Sequence, residues 1–302
     1  MLNLYRMSSI SKYKKVHEFM RYITENILKL YSLLGGIDLG PHPYLQFALE
    51  IIFGNYEKEY CDLLPQFLKE GDLVLDVGAN IGYFSLKFSK YIGENGYVIA
   101  FEPNPETFSI LQKNTKNRKN VECLNLGLSE ENDSLNLFVA NNNINTASFL
   151  SEYPAEHLLE HEKSVADIKK YKVDLVNGTS FLHKRKINSI NFLKIDVEGW
   201  EINVLKGLDA VIKSSPGLVI FIELNMLSQE MSGYKPDDLF KYIIGLGFQI
   251  FYLNDNLVLD QLTESNFTKL KDKLGLRGFT TLICQKNRVI DAQRSYSSYT
   301  HI

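Results

Sequence analysis

Short apolar runs and amphipathic stretches alternate along residues 73–285. The apolar runs, each four to eight residues long, predict seven strands: residues 73–77, 97–102, 121–126, 192–197, 218–224, 248–253 and 279–285. Apolar residues at helical spacing follow several of these runs: residues 83–91, 105–117, 201–213 and 236–246. Strands that alternate with helices predict an α/β fold, a mostly parallel sheet covered on both faces. No amphipathic helix is evident between the last two runs, which predicts an antiparallel edge strand at the end.

The pattern also divides the chain into parts. Helical spacing predicts three N-terminal helices, at residues 12–34, 44–53 and 57–69. The first has lysines at its start and could touch a membrane surface or a partner, or it could pack on the core. The predicted organisation is a helical extension over residues 1–54, an α/β domain over 55–290 and a disordered Ser- and Tyr-rich tail over 291–302.

Residues 129–191 are too long for an ordinary connection between a helix and a strand. They begin with a strand-like run at 134–139 and an Asn-rich turn at 141–145, and a charged, weakly helical stretch covers 152–172. Residues 172–176 are again extended in pattern. We predict an insertion near the carboxyl ends of the strands that acts as a lid or binds the acceptor; a surface elaboration without a ligand is the alternative.

Composition narrows the class of protein. The chain has 302 residues, 45% hydrophobic residues and a formal net charge of −3, which predicts a sizeable core and no general affinity for nucleic acid. Three widely spaced cysteines have no metal-binding spacing and fit a reducing compartment. No apolar stretch approaches the ~20 residues that span a bilayer. A cytoplasmic location without a transmembrane segment is therefore expected, and the oligomeric state is left open.

The string LVLDVGANIGYFS at residues 73–85 carries the first candidate chemistry. An acid, Asp76, precedes a glycine-rich turn in which Gly78 and Gly82 flank Asn80. A second acid, Glu102, ends the next strand, where it can accept hydrogen bonds from ribose hydroxyls. The turn lacks the third glycine that admits a pyrophosphate, so it fits a ligand without phosphates, such as S-adenosylmethionine. A tight βα turn with no ligand is the alternative.

The string FLKIDVEGWE at residues 192–201 carries a second cluster of carboxylates. It places Asp196 and Glu198 at the carboxyl end of a strand, where ligands of open α/β sheets bind. Two such neighbours rarely ionise independently, so one can have a raised pKa suited to accepting a proton. Glu198 and Glu201 could instead cap the next helix. On the neighbouring strand, Glu223 and Asn225 could join Asp196 around a hard divalent cation, although we expect no metal requirement.

With these motifs, the sequence resembles the FkbM family of S-adenosylmethionine-dependent methyltransferases. The strings FEPNP at 101–105, NLGLS at 125–129, VLKG at 204–207 and IEL at 222–224 also match, and KIDVEG at 194–199 is the most specific. The resemblance covers about residues 55–253. It implies a Rossmann-like seven-stranded methyltransferase sheet with a reversed last strand, and O-methylation of a sugar, a glycan or a secondary metabolite.

The resemblance also implies roles for residues. Asp76, Gly78, Asn80 and Gly82 would lie near the cofactor, Glu102 would hold its ribose, and Leu128 and Ser129 would flank adenine. Asp196 is the first candidate for general base and Glu198 the second. One departure is GTSFL at residues 178–182, where the family has an acid.

Two other functions stay open at this point. A nicotinamide-dependent oxidoreductase uses a similar sheet, but the missing third glycine argues against it. A catalytically inactive methyltransferase-like binding module would keep the fold, but it would not need the acids at 76, 102, 196 and 198.

Overall fold

A computed structural model describes residues 26–28, 30–32, 36–40, 45–140, 147–148 and 168–286. Residues 26–28 and 30–32 are helical. The further helices are α1 (Leu45–Ile52), α2 (Lys58–Phe67), α3 (Tyr83–Tyr91), α4 (Pro105–Thr115), α5 (Gly178–Lys184), α6 (Glu201–Gly207), α7 (Asp209–Lys213), α8 (Met226–Met231), α9 (Pro236–Gly245) and α10 (Glu264–Leu274). The strands are β1 (Leu73–Val77), β2 (Tyr97–Phe101), β3 (Val121–Leu124), β4 (Gly127–Ser129), β5 (Asp133–Ala140), β6 (Ala147–Ser148), β7 (Ile168–Asn177), β8 (Phe192–Ile195), β9 (Val219–Asn225), β10 (Gln249–Leu253), β11 (Leu259–Leu262) and β12 (Phe279–Gln285).

The main sheet has eight strands in the described part of the chain, in the order β11-β10-β12-β9-β8-β1-β2-β3. The pairs from β3 to β9 are parallel, whereas β12 runs antiparallel to both β9 and β10. This is the mostly parallel sheet with a reversed last strand that the sequence predicts. Because β8 and β1 lie at its centre, their carboxyl ends face one shared crevice.

Burial on both faces explains why the central strands are continuous apolar runs. Phe192 and Leu193 of β8 are both fully buried although they point to opposite faces. One apolar cluster packs α6, α7 and α9 on one face, and a second packs α2 and α3 on the other.

The start of α4 is determined by local sequence. The helix begins after Asn104, whose side chain accepts a hydrogen bond from the Glu106 N–H, and Pro105 occupies its first position.

A second sheet with the order β4-β7-β5-β6 forms most of the described part of the predicted insertion. The predicted strands at 134–139 and 172–176 lie within β5 and β7. The weak helix predicted over 152–172 is wrong at its end, because residues 168–172 pair with β5 as part of β7. The Asn-rich turn at 141–145 lies outside the described residues.

The end of the sheet corrects the sequence-based expectation in two ways. β12 lies inside the sheet and not at its edge, because β11 forms a hairpin with β10 and becomes the edge strand. A helix, α10, lies between β11 and β12. Its sequence is mostly polar, and only Phe267 and Leu270 of its residues are buried.

The remaining predictions concern one helix, the two ends of the chain and membrane-spanning segments. The predicted helix over 201–213 divides at Leu208 into α6 and α7. The tail over 291–302 and most of the first N-terminal helix lie outside the described residues. Within the described ranges, none of the helices combines the length and hydropathy needed to cross a bilayer.

Candidate active site

A cavity of about 570 Å³ opens at the carboxyl ends of the central strands. The ends of β1, β2, β8 and β9 form its floor, and the start of β12, the second sheet and the α1–α2 segment form its walls. Its volume is within the range of small-molecule sites. The sequence-predicted site residues that line it are Gly78, Asn80, Glu102, Leu128, Asp196, Glu198, Glu223 and Asn225.

The turn after β1 brings two loops into contact. Gly78 has a φ of +79°, and a Cβ there would lie 1.8 Å from the carbonyl oxygen of Asp196. Position 78 therefore requires glycine for two reasons: the loops after β1 and β8 are in contact there, and the backbone has a positive φ. Asn80 follows with a φ of +50°, and its N–H donates to Oε2 of Glu102 at 2.9 Å.

Glu102 is a buried carboxylate at the end of β2. Its Oε1 accepts a second backbone hydrogen bond from Asn104, at 2.8 Å. Burial raises the pKa of Glu102 to about 7. The two backbone hydrogen bonds act in the opposite direction, because they stabilise the charged carboxylate. The two N–H groups fix the orientation of the carboxylate toward the cavity.

Three predicted cofactor residues do not line the cavity. Asp76 is fully buried and accepts a hydrogen bond from the Ser85 hydroxyl at 2.5 Å, and burial raises its pKa. Gly82 precedes α3 and packs against Leu111, whose Cδ1 would lie 2.7 Å from a Cβ at this position. Ser129 is buried, with its carbonyl oxygen against Gly207. These residues shape the turn and the helix packing behind the cavity wall.

Asp196 follows β8 and forms an ion pair with a buried lysine. Lys194 Nζ lies 2.8 Å from Asp196 Oδ2 and 4.8 Å from the centre of the Phe84 ring. Burial disfavours the charge of Lys194, but the carboxylates of Asp196 and Asp76 outweigh it and raise the lysine pKa. The ammonium therefore stays charged and holds one oxygen of Asp196.

Glu198 occupies a turn with a φ of +51°, which is uncommon for a residue other than glycine. Its Oε2 accepts hydrogen bonds from the Ser228 hydroxyl at 2.8 Å and the Asn225 amide at 3.3 Å. Burial, and then the charge of Asp196, raise the pKa of Glu198 to about 8. The side chain faces the cavity and caps no helix in the described structure.

The capping alternative applies to Glu201. Its Oε1 accepts hydrogen bonds from the N–H groups of Gly199 and Val197 at 3.2 and 3.3 Å, just ahead of α6. Its Oε2 accepts one from the Gln229 side chain. Burial raises the pKa of Glu201 to about 7. Glu201 is therefore a buried structural acid behind the cavity.

The carboxylates that could bind a cation differ in part from the set predicted from the sequence, which was Asp196, Glu223 and Asn225. One oxygen each from Asp196, Glu198 and Glu223 lie within 4.8 Å of one another. The amide of Asn225 has other partners: its Oδ1 accepts from the Ser228 N–H as the cap of α8, and its NH₂ donates to Glu198. Glu223 Oε2 is buried without a hydrogen bond, and burial raises the pKa of Glu223 strongly.

Sequence reasoning missed the wall formed by the α1–α2 segment and β12. Tyr56, Glu57 and Tyr60 line the cavity together with Thr280 and Thr281, which contact the Tyr60 hydroxyl. No motif marks them, because they lie far in sequence from the strand ends that carry the other site residues.

Residues 76–250 match the methyltransferase FkbM domain. The chain is 28% identical over 184 residues to Methyltransferase 1 of Beauveria bassiana, an alignment that covers 56% of this chain and 70% of the relative. It is 27% identical over 188 residues to the hexuronic acid methyltransferase AglP of Haloferax volcanii, covering 62% of this chain and 67% of the relative.

A solved structure, methyltransferase FkbM from Methylobacillus flagellatus, aligns with a TM-score of 0.44 and 15% identity. The alignment covers 72% of this chain and 44% of that one.

Proposed function

Because this chain belongs to the methyltransferase FkbM family and is an S-adenosylmethionine-dependent methyltransferase, we propose that it methylates a hydroxyl oxygen of a sugar, a glycan or a secondary metabolite. The observation that carries the proposal is that Glu102, Asp196 and Glu198 line one and the same cavity. A relative described as a hexuronic acid methyltransferase supports a carbohydrate acceptor. Nucleic acid is not the proposed acceptor, since the lining is acidic.

The cavity residues fit the cofactor. Glu102 presents a carboxylate that two backbone N–H groups already orient, which suits the two hydroxyls of a ribose. Leu126, Leu128 and Leu137 supply an apolar wall beside it for the adenine ring. Asp76, Gly82 and Ser129 act from behind this wall, so we assign them structural support of the cofactor site.

When bound, S-adenosylmethionine supplies a methyl group on a sulfonium that is open to in-line displacement. The protein must then align a hydroxyl with that methyl group and accept the hydroxyl proton as the new C–O bond forms and the methyl–sulfur bond breaks, which would leave S-adenosylhomocysteine. Asp196 is placed for the first task, since its backbone lies against the cofactor turn at Gly78 and Lys194 holds Oδ2 of its carboxylate at 2.8 Å.

Glu198 is placed for the second task. Its Oε2 is occupied by Ser228 and Asn225, which leaves Oε1 for a ligand. A carboxylate whose pKa is about 8 is a better proton acceptor near neutral pH than one at an ordinary value. We therefore assign orientation of the hydroxyl to Asp196 and acceptance of its proton to Glu198.

The test is transfer of a labelled methyl group from S-adenosylmethionine to a panel of glycans and hydroxylated metabolites. Asp196→Asn should leave affinity for S-adenosylhomocysteine unchanged and lower turnover by about 10²-fold or more, the cost of misplacing a reacting group. Turnover within about threefold of the wild type would remove Asp196 from the mechanism.

Two controls separate the rivals. A melting temperature that rises with NAD and not with S-adenosylhomocysteine would favour an oxidoreductase, since a ligand that binds the native state stabilises it. Cofactor binding with no transfer to any acceptor would favour an inactive binding module. Loss of activity on chelation would add a divalent cation at Asp196, Glu198 and Glu223; unchanged activity would exclude it.

A further inference from the structure

We propose that the acceptor carries a protonated amine near the hydroxyl that is methylated, and that Glu57 is the residue that recognises this amine. The inference rests on the proposed function and specifies the class of its acceptor. It also assigns a specificity role to a residue that lies ahead of the family match at residues 76–250.

The charge of the cavity wall is the first argument. Seven carboxylates line the cavity, and none of the described lining residues is Lys, Arg or His: Glu50, Glu57, Glu59, Glu102, Asp196, Glu198 and Glu223. An anionic acceptor would meet repulsion from this wall, and a cation would be attracted to it. Glu102 serves the cofactor, so the excess of acid lies on the acceptor side.

Among the described residues, Lys194 supplies an ammonium to this cluster and forms its ion pair with Asp196. Glu57, Glu198 and Glu223 also lie in the cluster, and Oε2 of Glu223 is buried without a hydrogen bond in the described structure. Burial raises the pKa of Glu57 to about 7, against the opposing effects of Lys194 and of a hydrogen bond with the Tyr56 side chain. Glu57 thus keeps part of its protons near neutral pH, and a cationic ligand could replace them.

Glu57 is held in an unusual backbone conformation at the edge of this cluster. It is the residue before α2 and has a φ of +44° and a ψ of +37°, yet its side chain makes no capping hydrogen bond. A left-handed conformation is unfavourable for a residue other than glycine. The side chain lies at the cavity wall, where Lys194 and Asp196 act on its pKa.

The neighbours of Glu57 fix this arrangement. The Tyr56 ring packs edge-on against Phe47 and Tyr83, with ring centres 5.0 and 5.1 Å apart, and the Tyr83 hydroxyl donates to the Tyr56 carbonyl at 3.0 Å. The Tyr60 hydroxyl lies 3.3 Å from Thr280 Oγ1 and accepts from the Thr281 N–H at 3.3 Å. The wall is therefore attached to β12 and is a preformed part of the cavity.

The shape of the cluster favours an organic amine over a metal ion. Asp196, Glu198 and Glu223 form a compact set within 4.8 Å, but the carboxylates of the cavity extend beyond this set to Glu57 before α2, farther than the ligands of a single ion. Lys194 already occupies one oxygen of Asp196, and the oxygen of Asn225 serves as a helix cap. An ammonium on a flexible, hydroxylated molecule can reach Glu57 without displacing either interaction.

The test uses three small probes with the enzyme saturated with S-adenosylhomocysteine: ethanolamine, ethylene glycol and glycolate. Each has one hydroxyl beside an ammonium, a second hydroxyl or a carboxylate. We expect ethanolamine to bind about tenfold more tightly than ethylene glycol, the effect of one favourable ion pair, and glycolate to show no binding by NMR titration. Calorimetry in buffers of different ionisation enthalpy should show proton release on binding of ethanolamine.

Glu57→Gln should abolish the preference for ethanolamine without changing the affinity for S-adenosylhomocysteine. Glu59→Gln is the matched control, because Glu59 lines the same wall but has no contact with Lys194 in the described structure; it should keep most of the preference. Equal binding of the three probes, tighter binding of glycolate, or no binding of ethanolamine would overturn the proposal. Tight binding of Mn²⁺ that Asp196→Asn abolishes and ethanolamine does not displace would assign the cluster to a metal and also overturn it. Failure of the methyltransferase proposal would be seen separately, as no binding of S-adenosylhomocysteine.

Discussion

The affinity for S-adenosylhomocysteine should depend on pH through Glu102. This carboxylate has a pKa of about 7 in the free protein because it is buried. Ribose hydroxyls donate to its ionised form, so binding requires that form and releases a proton from the protonated one. The affinity should therefore rise with pH through this value.

The magnitude follows from the ionised fraction of Glu102. With a pKa of about 7, roughly one tenth of the carboxylates are ionised at about pH 6 and nine tenths at about pH 8. The dissociation constant should therefore fall by nearly tenfold from about pH 6 to about pH 8. Glu102→Gln should remove this dependence and weaken binding at the higher pH by about 2 kcal/mol, or roughly thirtyfold, the contribution of hydrogen bonds to a charged group.

Isothermal titration calorimetry of the purified protein measures both effects and needs no knowledge of the acceptor. Glu94→Gln is a suitable control, because Glu94 is exposed and does not line the cavity. A wild-type affinity that stays constant across this pH range would refute the reasoning about Glu102. So would a folded Glu102→Gln variant with unchanged affinity.

Two further predictions concern stability. Gly78→Ala should lower the melting temperature markedly, because its Cβ would lie 1.8 Å from the Asp196 carbonyl oxygen at a φ of +79°. Gly217→Ala is the control, because no atom lies within 4 Å of a Cβ at that position. Equal melting temperatures of the two variants would contradict the packing argument. The ligand-free protein should lose stability as pH rises from about 5 to about 8, because burial raises the pKa of Glu201 to about 7 and of Glu198 to about 8 from 4.5. The folded protein then binds protons that the unfolded chain has released in this window, so thermal unfolding in a pH series should show a falling melting temperature, and a rising one would disprove the raised values.

Local pattern was sufficient for the elements that bury apolar surface. The sequence-predicted bounds of β1, α3 and β12 match the structure at residues 73–77, 83–91 and 279–285. The two strands are apolar runs because both faces of the sheet are covered, and α3 has apolar residues at helical spacing because one of its faces packs on the sheet. α10 was missed because its sequence is mostly polar and only Phe267 and Leu270 of its residues are buried. The edge position of β11 depends on a hairpin that pattern alone did not indicate.

The sequence alone determined the family, the alternation of strands and helices and the acids at the carboxyl ends of the strands, because each of these depends on short stretches of the chain. Only the tertiary structure decided which of these residues face the cavity. Asp76 is fully buried beneath the turn, whereas Asn225 and Glu198 line the cavity, Asn225 as the cap of a helix and Glu198 from a left-handed backbone conformation. The placement of Glu57 against the end of β8 joins segments far apart in the chain. Such contacts arise from the packing of α2 on the sheet, and no local pattern encodes them.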